Sequence, residues 1–431
     1  MYKYIPKIYI MNKTNPITDP NLNMVSGPVN VMRLEGNVNG IKKVIYLFMD
    51  YHMNVDSQTQ CSNVFSQDVQ KFFTNNFYDL SNNTNGNQMY DFFVEVYPSE
   101  LADNKYRQGI NGKDHKEKYI EEVVKFFRKI FNYDAKKNKV TVNKFFKNVR
   151  LHYIDIRDYY KHNVHNQVTY MNGIAHQFMI NDYIDLERLD EIIKLMELMR
   201  THLEFVIDIL AKSKHKSLKM KIIKENFNGP LDVDAINYLA NKIKTSYKHN
   251  NVKKVMLALI NDTINNFESS IKEIDDAINE FNEYYDDIYK SNNRLVKDEN
   301  TSYIYSYGLS LSTVRQMIVN IANRVDNLVD EKFVEFFARF TDIYFLRRFL
   351  DKDYITNAIT YTGALHSNTY VYTLVKYFNF QITHASYSKI SDMKKLTNKI
   401  KKRSLMGIQE LILPEVFNQC SNLTDFPADF L

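Results

Sequence analysis

The apolar run VIYLFM at residues 44–49 is followed by Asp50, Tyr51 and His52, and it is the strongest indication of the fold in this chain. An unbroken apolar run of this length between turn signals is typical of a strand that is buried on both faces of a sheet. In an open α/β sheet, such strands carry their last residues into the crevice where ligands bind. Asp50 and His52 therefore predict a functional site at the end of this strand.

Strand-like and helix-like patterns alternate through the first part of the chain. They predict strands at residues 29–34, 43–48, 90–97 and 149–156, and helices at residues 65–77 and 119–131. The Asn39-Gly40 turn indicates that the first two strands form a hairpin. A further strand, helix and strand follow over residues 359–380. This rhythm favours an α/β fold with a split, largely parallel sheet flanked by helices.

The pattern changes after about residue 180, where apolar residues recur at helical spacing. The most regular segment has apolar residues in alternating steps of three and four: Leu257, Ile260, Ile264, Phe267, Ile271, Ile274, Ile278, Phe281, Tyr285 and Ile288. Such a seam predicts a helix packed at coiled-coil period. A helical hairpin within the chain is favoured, and a homodimer through this segment is the alternative. We expect a large all-helical insertion that splits the sheet.

These patterns predict five parts along the chain. They are an irregular lead-in at residues 1–27, the first part of the α/β core at 28–180, the helical insertion at 181–350, the second part of the core at 351–390 and a basic C-terminal tail at 391–431. A chain of 431 residues exceeds one ordinary core and is long enough for two domains or for one domain with a large insertion.

Composition narrows the class of protein. The first residues carry lysine and proline where a secretory signal needs an apolar run, and no stretch is long enough to span a membrane. Two cysteines, Cys61 and Cys420, make no disulfide framework and suit a reducing compartment. We therefore expect a soluble, intracellular protein with no membrane partner.

The charge pattern does not favour nucleic acid as a partner. The formal net charge of +5 is small for this length, so it argues neither for nor against a polyanion. The basic segment at residues 394–403 could contact nucleic acid or an acidic protein, but a solvated helix face is the favoured interpretation. The substrate, if there is one, stays unknown at this level.

Polar side chains follow each predicted strand of the sheet. Asp50 and His52 follow the first, Glu95 ends the second, Asp155 and Arg157 follow the third, and His366 follows the late one. If the strands are parallel neighbours, these side chains converge on one edge of the sheet. Taken singly, each could be a helix cap, an ion-pair partner or a structural histidine. Their occurrence together at strand ends favours a site.

Two kinds of chemistry are open to this set. Two histidines with one or two carboxylates suit a divalent metal such as Zn, Mn, Fe or Co. Without a metal, His52 could act as general base with Glu95 as its orienting group or as an acid. Arg157 could hold an oxyanion or pair with Asp155. The spacing of four other histidines fits no metal motif, and we interpret them as surface residues: His152, His162, His165 and His176.

The order of these motifs resembles that of the TraB, Tiki and erythromycin-esterase-like superfamily. In that superfamily the first strand ends in GExH, the second in Glu, and a late GxxH precedes a helix and a strand. Here the corresponding residues are MDYH at 49–52, Glu95 and GALH at 363–366. The late motif is intact, whereas Met49 and Asp50 replace the glycine and glutamate of the first.

The resemblance implies a split α/β fold with helical insertions and a hydrolase of ester or amide bonds. It also implies that His52, Glu95 and His366 hold a divalent metal, with Asp50 as a ligand or as an outer partner. A metal-bound water with a lowered pKa would then attack the carbonyl. The alternative is a non-catalytic structural or interaction protein that retains the fold and works through its helical insertion.

A second resemblance concerns the origin of the chain. The N-terminal hairpin at residues 29–52 and the abundance of Asn, Lys and Ile, which have AT-rich codons, look like those of uncharacterised proteins of large mimivirus-like DNA viruses. This resemblance implies a viral protein located in the host cytoplasm or in the virion.

Overall fold

The structure is a computed structural model, and it describes most of the chain in two compact units. The described residues are 18–55, 58, 61–82, 88–95, 118–132, 141–154, 156, 158–211, 240–292, 309–416 and 418–430. The first unit is formed by Met1–Asp155 together with Tyr344–Leu431, and the second by Ile156–Ile343. The finer boundaries expected from the sequence stay a prediction.

The described strands form two sheets, and the larger one is mostly parallel, as predicted. In chain order the strands are β1 (Met24–Ser26), β2 (Asn30–Val38), β3 (Ile41–Asp50), β4 (Gln67–Asp68), β5 (Tyr90–Val94), β6 (Thr141–Val142), β7 (Val149–Tyr153), β8 (Asn357–Gly363), β9 (Gln381–Ala385) and β10 (Cys420–Asn422). The large sheet has the order β6-β7-β5-β8-β3-β2-β9, and the small sheet β10-β1-β4. The parallel pairs are β7-β5, β5-β8 and β8-β3.

Strand β3 lies inside the large sheet, as its apolar run predicts. Residues 43–50 are all buried. On one side β3 pairs with β8 in parallel, and on the other it forms the predicted antiparallel hairpin with β2. Asn39 and Gly40 both have positive φ, which the tight hairpin turn requires. The carboxyl ends of β3, β8, β5 and β7 therefore meet at one edge.

Besides a short helical segment at residues 240–245, ten α-helices are present among the described residues. They are α1 (Val69–Asn82), α2 (Tyr119–Phe131), α3 (Asp158–Asn181), α4 (Leu186–Ala211), α5 (Asn250–Asn292), α6 (Leu311–Asp326), α7 (Glu335–Asp351), α8 (Ala364–Phe378), α9 (Met393–Lys401) and α10 (Gln409–Ile412). A π-helical segment, Asn327–Val334, joins α6 to α7. In the part of the chain that the structure describes, no helix combines the length and apolar character needed to cross a bilayer.

Alternate residues of the parallel strands point to opposite faces of the large sheet, and each face is covered by its own helices. On one face an aromatic core joins the strands to α1 and α2. In this core the ring centres of Phe73 (α1) and Phe92 (β5) are 4.9 Å apart. On the other face, the ring of Phe93 packs against that of Phe345 in α7, with 5.0 Å between ring centres. The ring of Phe345 in turn packs against Tyr370 of α8, with 4.4 Å between ring centres. Helix α8 thus lies on the face opposite to α1.

The seam predicted on α5 is half correct. Every second predicted position is buried, namely Ile260, Phe267, Ile274, Phe281 and Ile288. The positions between them are only partly buried, and small residues are buried instead: Thr263, Ser270 and Ala277. Small side chains let a neighbouring backbone approach closely, whereas a search for apolar residues overlooks them. Helix α4 packs along α5, with Arg200 paired to Asp275 at 2.8 Å.

The two cysteines form a disulfide, contrary to the expectation that no disulfide holds this fold. Cys61 is bonded to Cys420, 359 residues away. The small sheet brings them together, because Cys420 pairs with Ser26 across β10 and β1, and the Ser26 hydroxyl accepts a hydrogen bond from the Cys61 backbone N–H. A cysteine count carries no information on this proximity, so the argument from number alone was wrong.

Candidate functional site

Four of the predicted site residues come together at the carboxyl edge of the parallel strands. Asp50 is the last residue of β3, and His52 lies two residues beyond it. Glu95 directly follows β5, and His366 lies in the first turn of α8, just after β8. Since β5, β8 and β3 are consecutive neighbours, their ends deliver these side chains to one place.

Asp50 fixes the position of the His52 ring. Its Oδ2 atom lies 2.9 Å from Nδ1 of His52 and also accepts a hydrogen bond from the His52 backbone N–H. Its Oδ1 atom accepts a hydrogen bond of 2.8 Å from the hydroxyl of Tyr361. His52 has a φ of 54°, in the left-handed region that is unfavourable for a residue with a side chain. The two bonds to Asp50 hold it there.

Glu95 links the two histidines. Its Oε1 atom lies 2.9 Å from Nε2 of His366 and 3.6 Å from Nε2 of His52. Its Oε2 atom accepts a hydrogen bond of 2.6 Å from the backbone N–H of Gly363. Gly363 is the N-cap of α8, so the carboxylate also meets the positive end of the helix dipole.

Gly363 provides the space in which these groups meet. A β-carbon at this position would lie 2.9 Å from Nε2 of His52 and 3.2 Å from Oε2 of Glu95. Asp50 lies on the sheet face covered by α1, whereas His366 belongs to α8 on the other face. The His52 ring therefore passes over the end of β8 at the one residue that has no side chain.

Opposite charges at the site shift the pKa values of His52 and Glu95. Burial by itself would lower the pKa of His52, but the carboxylates of Glu95 and Asp50 outweigh it and raise that pKa from 6.5 to about 9. Burial by itself would raise the pKa of Glu95, but His366 and His52 outweigh it and hold that pKa well below 4.5. At neutral pH the site therefore contains an imidazolium at His52 and a carboxylate at Glu95.

His52 is the member of this group that solvent reaches. Its side chain is 33% exposed, whereas those of Glu95 and His366 are 2% and 5% exposed. Among the described residues, the hydrogen-bond and ion-pair partners of the His52 ring are Asp50 and Glu95. The His52 ring is therefore the part of this group that a reactant could reach, while Glu95 and His366 lie buried beside it.

The predicted metal ligands His52, Glu95 and His366 lie together, but their side chains are not arranged as a metal centre. Histidine nitrogens and a carboxylate suit Zn, Mn, Fe or Co. Within the described ranges, no group of three or more His, Cys, Asp or Glu side chains is arranged to hold a metal ion. Instead, the donors of His52, His366 and Glu95 face one another as hydrogen-bonding and ion-pairing partners.

The remaining predicted residues have different outcomes. Arg157 and Asp155 lie outside the described residues, so their predicted roles stay predictions. His152, expected on the surface, is 1% exposed, and its Nε2 atom lies 2.6 Å from Oδ1 of Asp91. It occupies a strand position next to Asp91, which spacing between histidines cannot reveal.

Tyr361 was not singled out from the sequence, although it contacts Asp50 directly. It lies in the apolar run of β8, where a tyrosine looks like an ordinary core residue. Its position two residues before Gly363 in a strand parallel to β3 is the signal that could have indicated it.

Comparison with known proteins points to viruses of one group. A model of a family of unknown function, DUF5847, matches residues 23–431. The uncharacterized protein R706 of Acanthamoeba polyphaga mimivirus is 58% identical over 422 residues, covering 97% of this chain and 100% of the relative. The uncharacterized protein R161 of the same virus is 36% identical over 441 residues, covering 96% and 99%. No solved structure matches. These relatives confirm the predicted resemblance to proteins of mimivirus-like viruses.

Proposed function

We propose that this chain, which belongs to the DUF5847 family of unknown function, is a hydrolase of ester or amide bonds that uses His52 as a general base. The observation that carries the proposal is the environment of the His52 ring. A buried carboxylate, Asp50, holds Nδ1, and Nε2 of the partly exposed ring lies beside a second carboxylate, Glu95. A histidine oriented in this way is suited to proton transfer.

The nucleophile in this proposal is water. Among the described residues, no hydroxyl or thiol is a hydrogen-bond partner of the His52 ring, so no side chain there is set up as a nucleophile. The neutral ring takes a proton from water at Nε2 as the water oxygen attacks the carbonyl carbon. The protonated ring then gives that proton to the leaving oxygen or nitrogen as the bond to carbon breaks.

Glu95 and His366 support this step from the buried side. Glu95 stabilises the positive charge that His52 gains when it accepts the proton, because Oε1 lies 3.6 Å from Nε2. His366 and the N–H of Gly363 hold the carboxylate in place through one oxygen each. Burial keeps these interactions strong, since the surroundings have a lower dielectric constant than water.

A divalent metal at His52, Glu95 and His366 is the second form of this proposal. It is supported by the convergence of two Nε2 atoms on one carboxylate oxygen, and by Asp50, which occupies the place of an outer partner on Nδ1 of His52. Metal analysis of the purified protein tests it. Stoichiometric Zn, Mn, Fe or Co that is lost in His366→Ala would favour this form over metal-free acid–base chemistry.

The site agrees with the resemblance to the TraB, Tiki and erythromycin-esterase-like superfamily, which we retain as part of the proposal. We also retain the proposal that residues 181–350 form a helical insertion. The rival function is an interaction protein that works through this insertion, including as a homodimer. It is weakened, because half of the apolar α5 seam is buried within the single chain.

Turnover on a panel of generic ester and amide substrates tests the hydrolase. We expect wild-type protein to hydrolyse at least one of them, and His52→Gln to lose roughly 100- to 10,000-fold in kcat, the usual contribution of a general base. The matched control is His176→Gln, which changes a half-exposed histidine in the second unit. Equal rates in wild type and His52→Gln would remove His52 from the role of general base, and hydrolysis of none of the substrates by wild type would favour the interaction protein.

A further inference from the structure

Tyr361 is linked to His52 through the carboxylate of Asp50. Its hydroxyl donates a hydrogen bond of 2.8 Å to Oδ1 of Asp50, and the other oxygen of the same carboxylate holds Nδ1 of His52. Both oxygens of Asp50 are thus engaged, one by the tyrosine and one by the histidine. A carboxylate held at one oxygen can turn about its bond, whereas one held at both cannot.

The hydrogen bond between Tyr361 and Asp50 lies in a buried, closely packed part of the protein. Tyr361 is fully buried, and Asp50 is 1% exposed. The ring of Tyr361 meets Phe73 of α1 edge to face at 6.2 Å, within the aromatic core of that sheet face. Both groups are shielded from bulk water, so removal of the hydroxyl would deprive Oδ1 of Asp50 of its hydrogen-bond donor.

We propose that Tyr361 is a positioning residue for His52, acting through Asp50. The inference rests on the proposed function for its catalytic meaning, but the geometric relay Tyr361–Asp50–His52 exists independently of any substrate. The hydroxyl locks the Asp50 carboxylate, and the locked carboxylate keeps the His52 ring in the orientation that directs Nε2 toward Glu95. Through this relay, the core between the sheet and α1 determines the position of the His52 ring at the edge of the sheet.

The lifetime of the Nδ1 proton of His52 tests the relay without any substrate. In protein labelled with ¹⁵N-histidine, the signal that disappears in His52→Gln identifies this proton. We expect Tyr361→Phe to speed its exchange with water by about tenfold, the factor that corresponds to losing a hydrogen bond to a charged group. The matched control is Tyr90→Phe, in the same aromatic core but at the amino end of β5. Equal exchange rates in the two variants would overturn the proposal.

A double-mutant cycle separates positioning from general packing. If Tyr361 acts through Asp50, Tyr361→Phe will shorten the proton lifetime strongly in wild type and hardly at all in an Asp50→Asn background. Additive effects would mean that the hydroxyl acts elsewhere. Where turnover is measurable, Tyr361→Phe should lower kcat by roughly 10- to 100-fold with KM nearly unchanged, as partners that orient a functional histidine do.

If Tyr361→Phe does not fold, the relay can be tested in the opposite direction, by changing Asp50 and observing Tyr361. In protein labelled with ¹³C-tyrosine, Asp50→Asn should shift the ring signal of Tyr361 and leave that of Tyr90 in place. An unmoved Tyr361 signal would overturn the relay. A relay that passes these tests in a protein without hydrolytic activity would remove the proposed function and leave the role of Tyr361 standing.

Discussion

The imidazole of His52 lies so close to Gly363 that a β-carbon there would be 2.9 Å from its Nε2 atom. Real β-carbons essentially never make so short a contact. The ring crosses the end of β8 at this glycine to reach Glu95, so the glycine is a requirement of the site and not of a turn. A side chain at position 363 and the pairing of His52 with Glu95 exclude each other.

Gly363→Ala should therefore impair the site more than the fold. We expect the added methyl group to displace the His52 ring and to lower turnover by about 100-fold, as misplacement of a reacting group can do. Gly173→Ala is the control, because a β-carbon there meets no atom within 4 Å. Turnover and thermal melting of the two variants should be compared. Full turnover by Gly363→Ala would mean that His52 need not occupy the observed position.

Glu95→Gln should destabilise the protein as well as inactivate it. The variant removes the negative charge that faces His366 and His52, and we expect a loss of about 3 kcal/mol in the free energy of unfolding, as when one partner of a buried ion pair is removed. Glu122→Gln, at a half-exposed pair with Lys125, should cost almost nothing. Denaturant unfolding measures both. If Glu95→Gln lowers the free energy of unfolding as little as Glu122→Gln does, the ion pairs of Glu95 with the histidines do not stabilise the protein.

The raised pKa of His52 predicts a particular pH dependence of stability. Since the pKa is about 9 in the folded protein and 6.5 ordinarily, the stabilisation from charged His52 is complete below pH 6.5 and is lost as the pH rises through 9. The difference in unfolding free energy between wild type and His52→Gln should shrink between pH 6.5 and 10. A difference that stays constant over this range would show that the pKa of His52 is not raised in the folded protein.

The disulfide predicts sensitivity to reductant. Cys61–Cys420 closes a very long loop, so its loss should cost about 2–5 kcal/mol and lower the melting temperature. Reductant should lower the melting temperature of wild type but not that of the double variant Cys61→Ser, Cys420→Ser. If reductant leaves the wild type unchanged, the bond is absent from the folded protein or contributes nothing to its stability.

Helix α5 offers a test of the corrected seam. Phe267 is fully buried, so Phe267→Ala should cost about 3–5 kcal/mol in the free energy of unfolding. Ile264 belongs to the predicted seam but is only partly buried, and Ile264→Ala should cost clearly less. Chemical denaturation of both variants decides between the two seams. Equal costs would restore the seam expected from the apolar pattern alone.

Local patterns predicted much of the fold because they report burial directly. The apolar run before Asp50 indicated an internal strand, and the Asn39-Gly40 turn indicated the hairpin that β2 and β3 form. The same strand-end logic selected Asp50, His52, Glu95 and His366, which the structure brings together. The inferences about the fold succeed because each depends on a few neighbouring residues, whereas the roles of the site residues stay predictions.

What the sequence missed depends on contacts between distant residues. The bond between Cys61 and Cys420 arises from strand pairing in the small sheet, and that of Tyr361 with Asp50 from the register of β8 against β3. The small buried residues of α5 were overlooked, because an apolar pattern does not register threonine or serine as core residues. No single segment contains this information.

The dependence of hydrolysis on pH in wild type and His52→Gln tests directly whether His52 is the general base. A general base must be neutral, and with a pKa of about 9 only about one His52 ring in a hundred is neutral at pH 7. We predict that kcat for an ester substrate rises about tenfold per pH unit to a plateau near pH 9 in wild type, and that His52→Gln lacks this rise. Parallel profiles in the two proteins would contradict the assignment of His52 as the base.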